Sequence, residues 1–437
     1  MTTAAAERTE LNERFFAARA DDVAALCEAM ADRFARGGRL IACGASPADR
    51  SDVRHVAVEF VHPVIVGKRA LPALGVEPAV VELLCAPEDI VMAFGACPEI
   101  AAARAKGCLT IAFCDVGAEW TFVPPAGDPL VAQELAETLY HVLWELVHVF
   151  LDHASRGRGT GASTFLYPFL AAGGDLESVR EDVRASVLAK AAEIGALREQ
   201  TLTANAETIA EVAAALRACF AGGGKLLALG NGGSATDAMD VVADFRAVSR
   251  PAIDLTEDAA IITAVANDVG VEAIFARQVI AYGRLGDVVL AISTSGGSPN
   301  VIAALAQARR QGLATIALVG YDGGRILAEG LADHIVVVRS EHIPRIQEAQ
   351  ASVLHALRAA ACARSPRPGS PCGSRASCRA SASARSSSAW PRSTAWRASC
   401  ATTCTAWTSR WRARARSSSG SSPRSPSARR RWRACCA

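Results

Sequence analysis

The hydrophobic pattern of the chain changes period several times, and each change marks an element. Short runs apolar at nearly every position, such as Lys225–Gly230, Asp287–Ser293 and Ala314–Gly320, are bounded by Gly, Asp or Pro and predict strands buried on both faces. Ala252–Leu255 and His334–Val338 complete a predicted set of five. The stretches between them predict helices, and strands alternating with helices imply a parallel sheet covered on both faces. Upstream, Leu176–Phe220 is rich in Ala, Glu and Leu and holds no Pro, so it predicts long helices able to pack on the sheet or on a partner subunit. Leu130–Leu151 is long and apolar but is broken by Gln133, Glu134, Glu137, His141, Glu145 and His148, too many polar positions for a membrane span.

The pattern occurs twice. RFARGGRLIACG (Arg33–Gly44) parallels CFAGGGKLLALG (Cys219–Gly230), and DIVMAFGACPEIAAARAKGCLTIAFCD (Asp89–Asp115) parallels DVVLAISTSGGSPNVIAALAQARRQGLATIALVG (Asp287–Gly320). A separation of roughly 190 residues is too long for a solenoid repeat and implies duplication of a whole domain. Between the copies, SRGRGTGAS (Ser155–Ser163) has the Gly and Ser content of a linker. The expected organisation is α/β: two doubly wound parallel-sheet domains in tandem, 1–154 and 172–362, with flanking long helices and a linker over 155–171. A tail, 363–437, follows.

Composition sets that tail apart. It contains no Leu, Ile, Val, Met, Phe, Tyr, Asp, Glu or Lys, so it has little beyond its Trp residues to bury and is expected to be disordered. Its Arg, Ser and Ala bias, with scattered Trp and Cys, fits GC-rich DNA translated out of frame better than a basic nucleic-acid arm or a functional Ser/Arg segment. The tail holds 16 of the 46 basic residues and none of the 44 acidic ones, which leaves Met1–Cys362 with 30 bases, 44 acids and a net charge of −14. Nucleic acid is therefore not expected as a partner of the folded part. Cys27, Cys43, Cys85, Cys97, Cys108, Cys114 and Cys219 lie in apolar surroundings without a CxxC pair, so they read as buried thiols. With no signal peptide and no membrane span, the expected location is the cytoplasm.

In an open parallel sheet, ligands sit at the carboxyl ends of strands, and the loops there are GNGGSATDA after the first strand of the second copy and STSGGSPN after the third. Gly230, Gly232 and Gly233 let backbone approach a ligand, while Ser293, Thr294, Ser295 and Ser298 offer four hydroxyls at a helix start, which suits a phosphate. GNGGSATDAMDVVADF, the pair Asn267–Asp268 and STSGGSPNVIAALAQARRQGLATIALVGYDGG together resemble the sugar isomerase (SIS) domain, a flavodoxin-like fold, and most nearly its phosphoheptose isomerases. The resemblance covers about 175–360 and implies a phosphorylated sugar as ligand, bound by Asn231, Gly232, Gly233, Ser234, Asn267, Asp268, Ser293, Thr294, Ser295 and Ser298. The family usually has Asn where Gly297 stands.

Asp240 and Asp244 are four apart on one helix face, where they could share a divalent cation or be a solvated face. The resemblance implies a metal-binding His and a metal-binding, catalytic Glu at these two positions, with a Gln and a His eight residues apart further on, matched by Gln347 and His355. The expected metal set is then Asp240, Asp244, Gln347 and His355, with Asp244 and His355 catalytic and Gln347 also touching substrate. Zn is the metal implied, or Mg or Mn in view of the carboxylates. No nucleotide cofactor is expected. Eight helical residues rise about 12 Å, so Gln347 and His355 cannot reach one ion from a single straight helix unaided.

The first copy departs in the opposite sense. Its loops read GASPAD (Gly44–Asp49) and FGACPE (Phe94–Glu99), almost without hydroxyls, yet it keeps His55 and Glu59, four apart, and Gln133 and His141, eight apart. These four are a second candidate metal set, against the alternative that His141 is a core histidine. One copy keeps the phosphate loops and the other the metal residues, so a fused pair could act as an intramolecular pseudo-dimer, itself expected to oligomerise. The expected function is a sugar-phosphate aldose–ketose isomerase working through an enediolate. The alternative is a non-catalytic sugar-phosphate-binding protein with a sensing or assembly role. A glucosamine-phosphate synthase would need an amidotransferase segment, and a regulator a helix-turn-helix segment, and neither is read in the sequence.

Overall fold

A computed structural model describes residues 2–64, 68–155 and 176–362, all within one compact unit spanning Met1–Ser365. The expected linker segment Ser155–Ser163, apart from the backbone of Ser155 itself, and the tail 363–437 lie outside the described residues.

The first half runs α1 (Thr2–Ala35), β1 (Leu40–Gly44), α2 (Pro47–Val61), β2 (Ala73–Val76), α3 (Pro78–Leu84), β3 (Ile90–Phe94), α4 (Glu99–Ala105), β4 (Leu109–Ala112), β5 (Trp120–Thr121) and α5 (Pro129–Ser155). The second half runs α6 (Leu176–Ala204), α7 (Ala206–Ala221), β6 (Leu226–Leu229), α8 (Gly233–Ala247), β7 (Ala252–Asp254), α9 (Ala259–Asp268), α10 (Ile274–Tyr282), β8 (Val288–Ser293), α11 (Pro299–Arg310), β9 (Ala314–Val319), α12 (Gly324–Ala328), β10 (His334–Val337) and α13 (Ile343–Cys362). The five strands expected in the second half are all present, each shorter than its hydrophobic run by no more than two residues.

Both sheets are fully parallel and share one strand order, β2-β1-β3-β4-β5 and β7-β6-β8-β9-β10. The registers match as well: Leu40 lies beside Ile90 and Leu226 beside Val288. A carboxylate brace recurs at the strand entries. Asp89 accepts from the Arg39 amide at 2.8 Å, and Asp287 accepts from the Lys225 amide at 3.0 Å. The repeated Gly pairs have a steric cause. A Cβ on Gly38 would stand 2.1 Å from the Glu88 carbonyl oxygen, and one on Gly224 2.3 Å from that of Gly286. Central strands β1, β3, β6 and β8 are buried along their whole length, which is why they read as continuous apolar runs.

Helices stitch the halves together. α1 lies along α6, α2 packs on α8, and α13 packs on α5, α6 and α8. Asn12 of α1 donates to the Ala191 carbonyl at 2.7 Å and accepts from Arg198 at 3.3 Å, so the long helices expected from Leu176–Phe220 find their partner within the chain. α5 is buried through His141, Glu145 and His148 despite their polarity, because each has a hydrogen-bonding partner. Among the described residues, no helix is long and apolar enough to cross a membrane. Of the seven cysteines expected to be buried, six are, and Cys114 is half-buried.

Candidate functional site

The two polar loops of the second half meet above β6 and β8. Gly230 must be glycine, since a Cβ there would stand 2.2 Å from the Ser234 carbonyl oxygen. Gly232 takes a positive φ of 59° and leads into α8. Asn231 exchanges two amide hydrogen bonds of 2.9 Å with Asn300, which ties this loop to the start of α11. In the other loop, Ser293 Oγ accepts from the Gly296 amide at 3.2 Å and lies 3.5 Å from Ser298 Oγ, while Ser295 Oγ accepts from the Gly297 amide at 3.3 Å. Ser298 stands at the N-cap of α11 without spending its hydroxyl on a capping bond. Asn267 and Asp268 are exposed at the end of α9 and bond to each other at 2.7 Å; among the described residues no hydrogen bond links them to either loop.

Where α2 packs on α8 and α5 on α13, the metal-type residues meet in a crossed arrangement. Gln347 of the second half approaches His55 of the first, Nε2 to Nε2 at 3.2 Å, and Gln133 of the first donates to Asp240 of the second at 2.9 Å. His141 and His355 turn Nε2 toward their own half: His141 Nε2 is 3.4 Å from His55 Nε2, and His355 Nε2 is 3.4 Å from Asp240 Oδ2 and 4.0 Å from Asp244 Oδ2. These hydrogen bonds put Gln347 with His55 and Gln133 with Asp240, whereas the expected groupings had Gln347 with Asp240, Asp244 and His355 and Gln133 with His55 and His141. The reason is the 12 Å that eight helical residues span, which sends the two ends of α13, and of α5, to opposite sites.

Position along α8 separates the sites further. A Cβ on Gly233, at the first turn, would stand 1.7 Å from Gln347 Nε2 and 3.0 Å from His55 Nε2. Asp244 lies ten residues beyond Ser234, about 15 Å along the axis. The hydroxyl-loop end of α8 thus adjoins His55 and Gln347, while Asp240, Asp244 and His355 gather further along. In the first half, the matching loop is occupied by its own side chain. Asp49 accepts from the Ser46 amide at 2.9 Å, and a Cβ on Gly95 would stand 2.5 Å from Asp49 Oδ2. A cavity of about 570 Å³ lies between this end of α2 and the far end of α8, with Arg50, Arg54, Arg246 and Asp244 in its wall. Ser293, Thr294, Ser295 and Ser298 do not line it, so its size does not mark it as a sugar-phosphate site.

The two clusters differ electrically. Burial, and then the neighbouring His141, holds the His55 imidazole well below its usual range. For His355, burial opposes charge, but hydrogen bonds to Asp240 and Glu134 and their charges lift it to about 10. Glu134, against the cost of burial, is brought down to about 2 by His355, Arg198 and Arg8. Burial and then Asp240 push Asp244 up to about 6. His355 is thus an imidazolium among carboxylates, whereas burial keeps the His55 imidazole from taking up a proton.

Comparison with known proteins gives these loops a family. A model of the SIS domain matches residues 191–320. The phosphoheptose isomerase of Nitratidesulfovibrio vulgaris is 40% identical over 185 residues, covering 40% of this chain and 87% of the relative, and that of Pelobacter propionicus is 48% identical over 153 residues, covering 34% and 80%. The chain belongs to the SIS domain family. Among solved structures, the C-terminal domain of glucosamine-fructose-6-phosphate aminotransferase from Francisella tularensis shares the SIS fold at 10% identity, with a TM-score of 0.52, over 81% of this chain and 92% of that one. That span is too long for one sheet alone, so the likeness extends over both halves.

Among the described residues of this SIS protein, two groups could hold a metal: His55, Glu137 and His141, and Asp240, Asp244 and His355, all buried, with ligand atoms within 4.8 Å of one another in each group. The first fits a divalent transition ion. Its two imidazole Nε2 atoms face each other, and Glu59 Oε2, Glu137 Oε1 and Gln347 Oε1 are buried without a hydrogen-bonding partner. The second leaves Asp244 Oδ2 and His355 Nε2 without a hydrogen bond but already contains a cation in His355. Sequence reasoning missed Asn300, Glu134, Glu137 and Glu348. Asn300 follows the SerPro of its loop directly, and Glu134 and Glu348 each follow a Gln singled out for metal binding, so a polar residue beside an identified one was the available signal.

Proposed function

We propose that this SIS protein is a sugar-phosphate aldose–ketose isomerase resembling phosphoheptose isomerase, with one composite site per chain. The observation that carries the reading is the approach of Gly233 to His55 and Gln347, which brings metal-type residues of the first half against the phosphate-type loops of the second. The names of the relatives support the isomerase class. In this reading the halves form an intramolecular pseudo-dimer in which each supplies what the other lacks.

The phosphate lies on the hydroxyls of Ser293, Thr294, Ser295 and Ser298, with Asn231 and Ser234 toward the sugar. Glu59 takes the proton from the carbon beside the carbonyl and returns it to the neighbouring carbon, through an enediolate. Its Oε2 is buried and unpartnered, and burial raises its pKa, as suits a proton acceptor. His141, whose Nε2 is bare when Nδ1 donates to Glu348, presents that nitrogen to the site as a metal ligand. A divalent metal held by His55, His141 and a carboxylate of Glu59 or Glu137 would polarise the sugar oxygens as an electrophile. Glu59 thereby takes the catalytic role that sequence alone gave to Asp244, and His141 the metal-binding role it gave to His355.

The test incubates the full chain with sedoheptulose 7-phosphate and Zn in deuterated water and follows it by NMR. Interconversion with deuterium entering the carbon beside the carbonyl is expected. Saturable binding without exchange would replace this reading by the sensing or assembly role, and absence of binding would remove the loop assignment.

A further inference from the structure

Two carboxylates on the seam are crossed in the same way as the glutamines. Glu348 of α13 lies 3.0 Å from His141 Nδ1 of α5, and Glu134 of α5 lies 2.9 Å from His355 Nδ1 of α13. All four side chains are buried. A buried carboxylate facing one imidazole nitrogen requires a proton there, which leaves the opposite nitrogen free to accept or to bind a metal. Glu348 is itself held. Arg345 donates to it at 2.7 Å and also to Glu145 at 2.8 Å, and Lys190 pairs with Glu145. His141 is therefore oriented by a chain of charges that begins in the other half.

We infer that Glu348 is a positioning residue: it sets the tautomer and orientation of His141 across the seam, so this imidazole of the first half is set only when α13 of the second half is docked on it. The inference rests on the proposed composite site. It adds to that site a dependence on assembly, and it separates Glu348 from Glu134, whose partner His355 lies in the other cluster.

The experiment compares Glu348→Gln, Glu348→Asp and Glu134→Gln in the full chain. Zn affinity is read by competition with a chromophoric chelator, the His141 tautomer by ring-nitrogen NMR of the metal-free protein, and kcat and KM with sedoheptulose 7-phosphate. Second-sphere carboxylates contribute about 10–100-fold to metal affinity. Glu348→Gln is expected to lower Zn affinity about tenfold, to lose the single Nδ1–H tautomer of His141, and to lower kcat with KM little changed. Glu348→Asp keeps a charge for Arg345 but retreats by one methylene, so it should fold and still lose several-fold in Zn affinity. Glu134→Gln should change Zn affinity by less than twofold. A folded Glu348 variant with unchanged affinity and tautomer would overturn the inference, as would an equal loss in Glu134→Gln. If the parent chain shows no turnover, the isomerase reading fails while the Zn and NMR arms still decide the role of Glu348.

Discussion

Gln347 and His55 stand 292 residues apart in sequence and 3.2 Å apart in space, and Gly233 is the residue whose lack of a side chain lets them meet beside the first turn of α8. The clash that a Cβ would cause falls on the tip of a flexible glutamine, so Gly233→Ala should displace Gln347 without unfolding the chain. The expected result is at least a tenfold fall in kcat/KM, about 1.4 kcal/mol, with the chemical-denaturation midpoint almost unchanged. A normal kcat/KM would detach Gln347 from the site.

The hydroxyl loop makes a second prediction. Ser295→Ala removes a donor, together with the acceptor of the Gly297 amide, while sparing the Ser293–Gly296 bond. It should weaken binding of sugar phosphate, or of inorganic phosphate as competitor, by about 0.5–3 kcal/mol, measured by calorimetry. Ser293→Ala should cost binding and also loosen the loop, because the Gly296 amide loses its acceptor.

Turnover distinguishes the composite site from one built on the second half alone. Glu59→Gln should abolish deuterium exchange, whereas Asp244→Asn, some three helical turns from the hydroxyl loop, should reduce it less than tenfold. Rapid-quench NMR of both variants provides the check. The reverse result would return the proton transfer to Asp244 and His355.

Glu145 sets an acid limb of stability. Burial works against its charge, yet Lys190 and Arg345 hold its folded pKa down to about 2, against an ordinary value of 4.5. Because the folded value is depressed, the stabilisation is present above about pH 4.5 and is lost as pH falls toward about 2. The difference is on the order of 3 kcal/mol, an upper figure for a buried group with two cationic partners. Glu145→Gln should flatten the loss of stability between pH 4.5 and 2, as followed by urea denaturation at a series of pH values. An unchanged acid limb would mean that other carboxylates carry it.

Much of the fold was legible because parallel strands buried on both faces need nearly continuous apolar runs and helix-covered sheets need helices between them. Lys225–Gly230 and Asp287–Ser293 became β6 and β8 with only their first or last residues trimmed. The loops were legible for a local reason also: Gly230 and Gly232 are required by backbone contacts and φ angles that only their own neighbours create.

Which metal-type residue serves which site was not legible in the same way, since it depends on how α2 crosses α8 and α5 crosses α13. Spacing alone put His355 and Gln347 on one helix and warned that 12 Å separates them; it could not say that Gln347 goes to His55 and Gln133 to Asp240. Glu134 and Glu348 carried no site role in the sequence, because a carboxylate on an apolar helix has no such meaning until its partner is known. The sequence by itself determined the parallel sheets, the glycine-dependent loops and the residue types available for chemistry, all of which follow from local sterics and hydrophobic period. Only the tertiary structure decided the pairing across the seam, because buried polar groups must be satisfied by whatever side chain the packing of helices brings within hydrogen-bond reach.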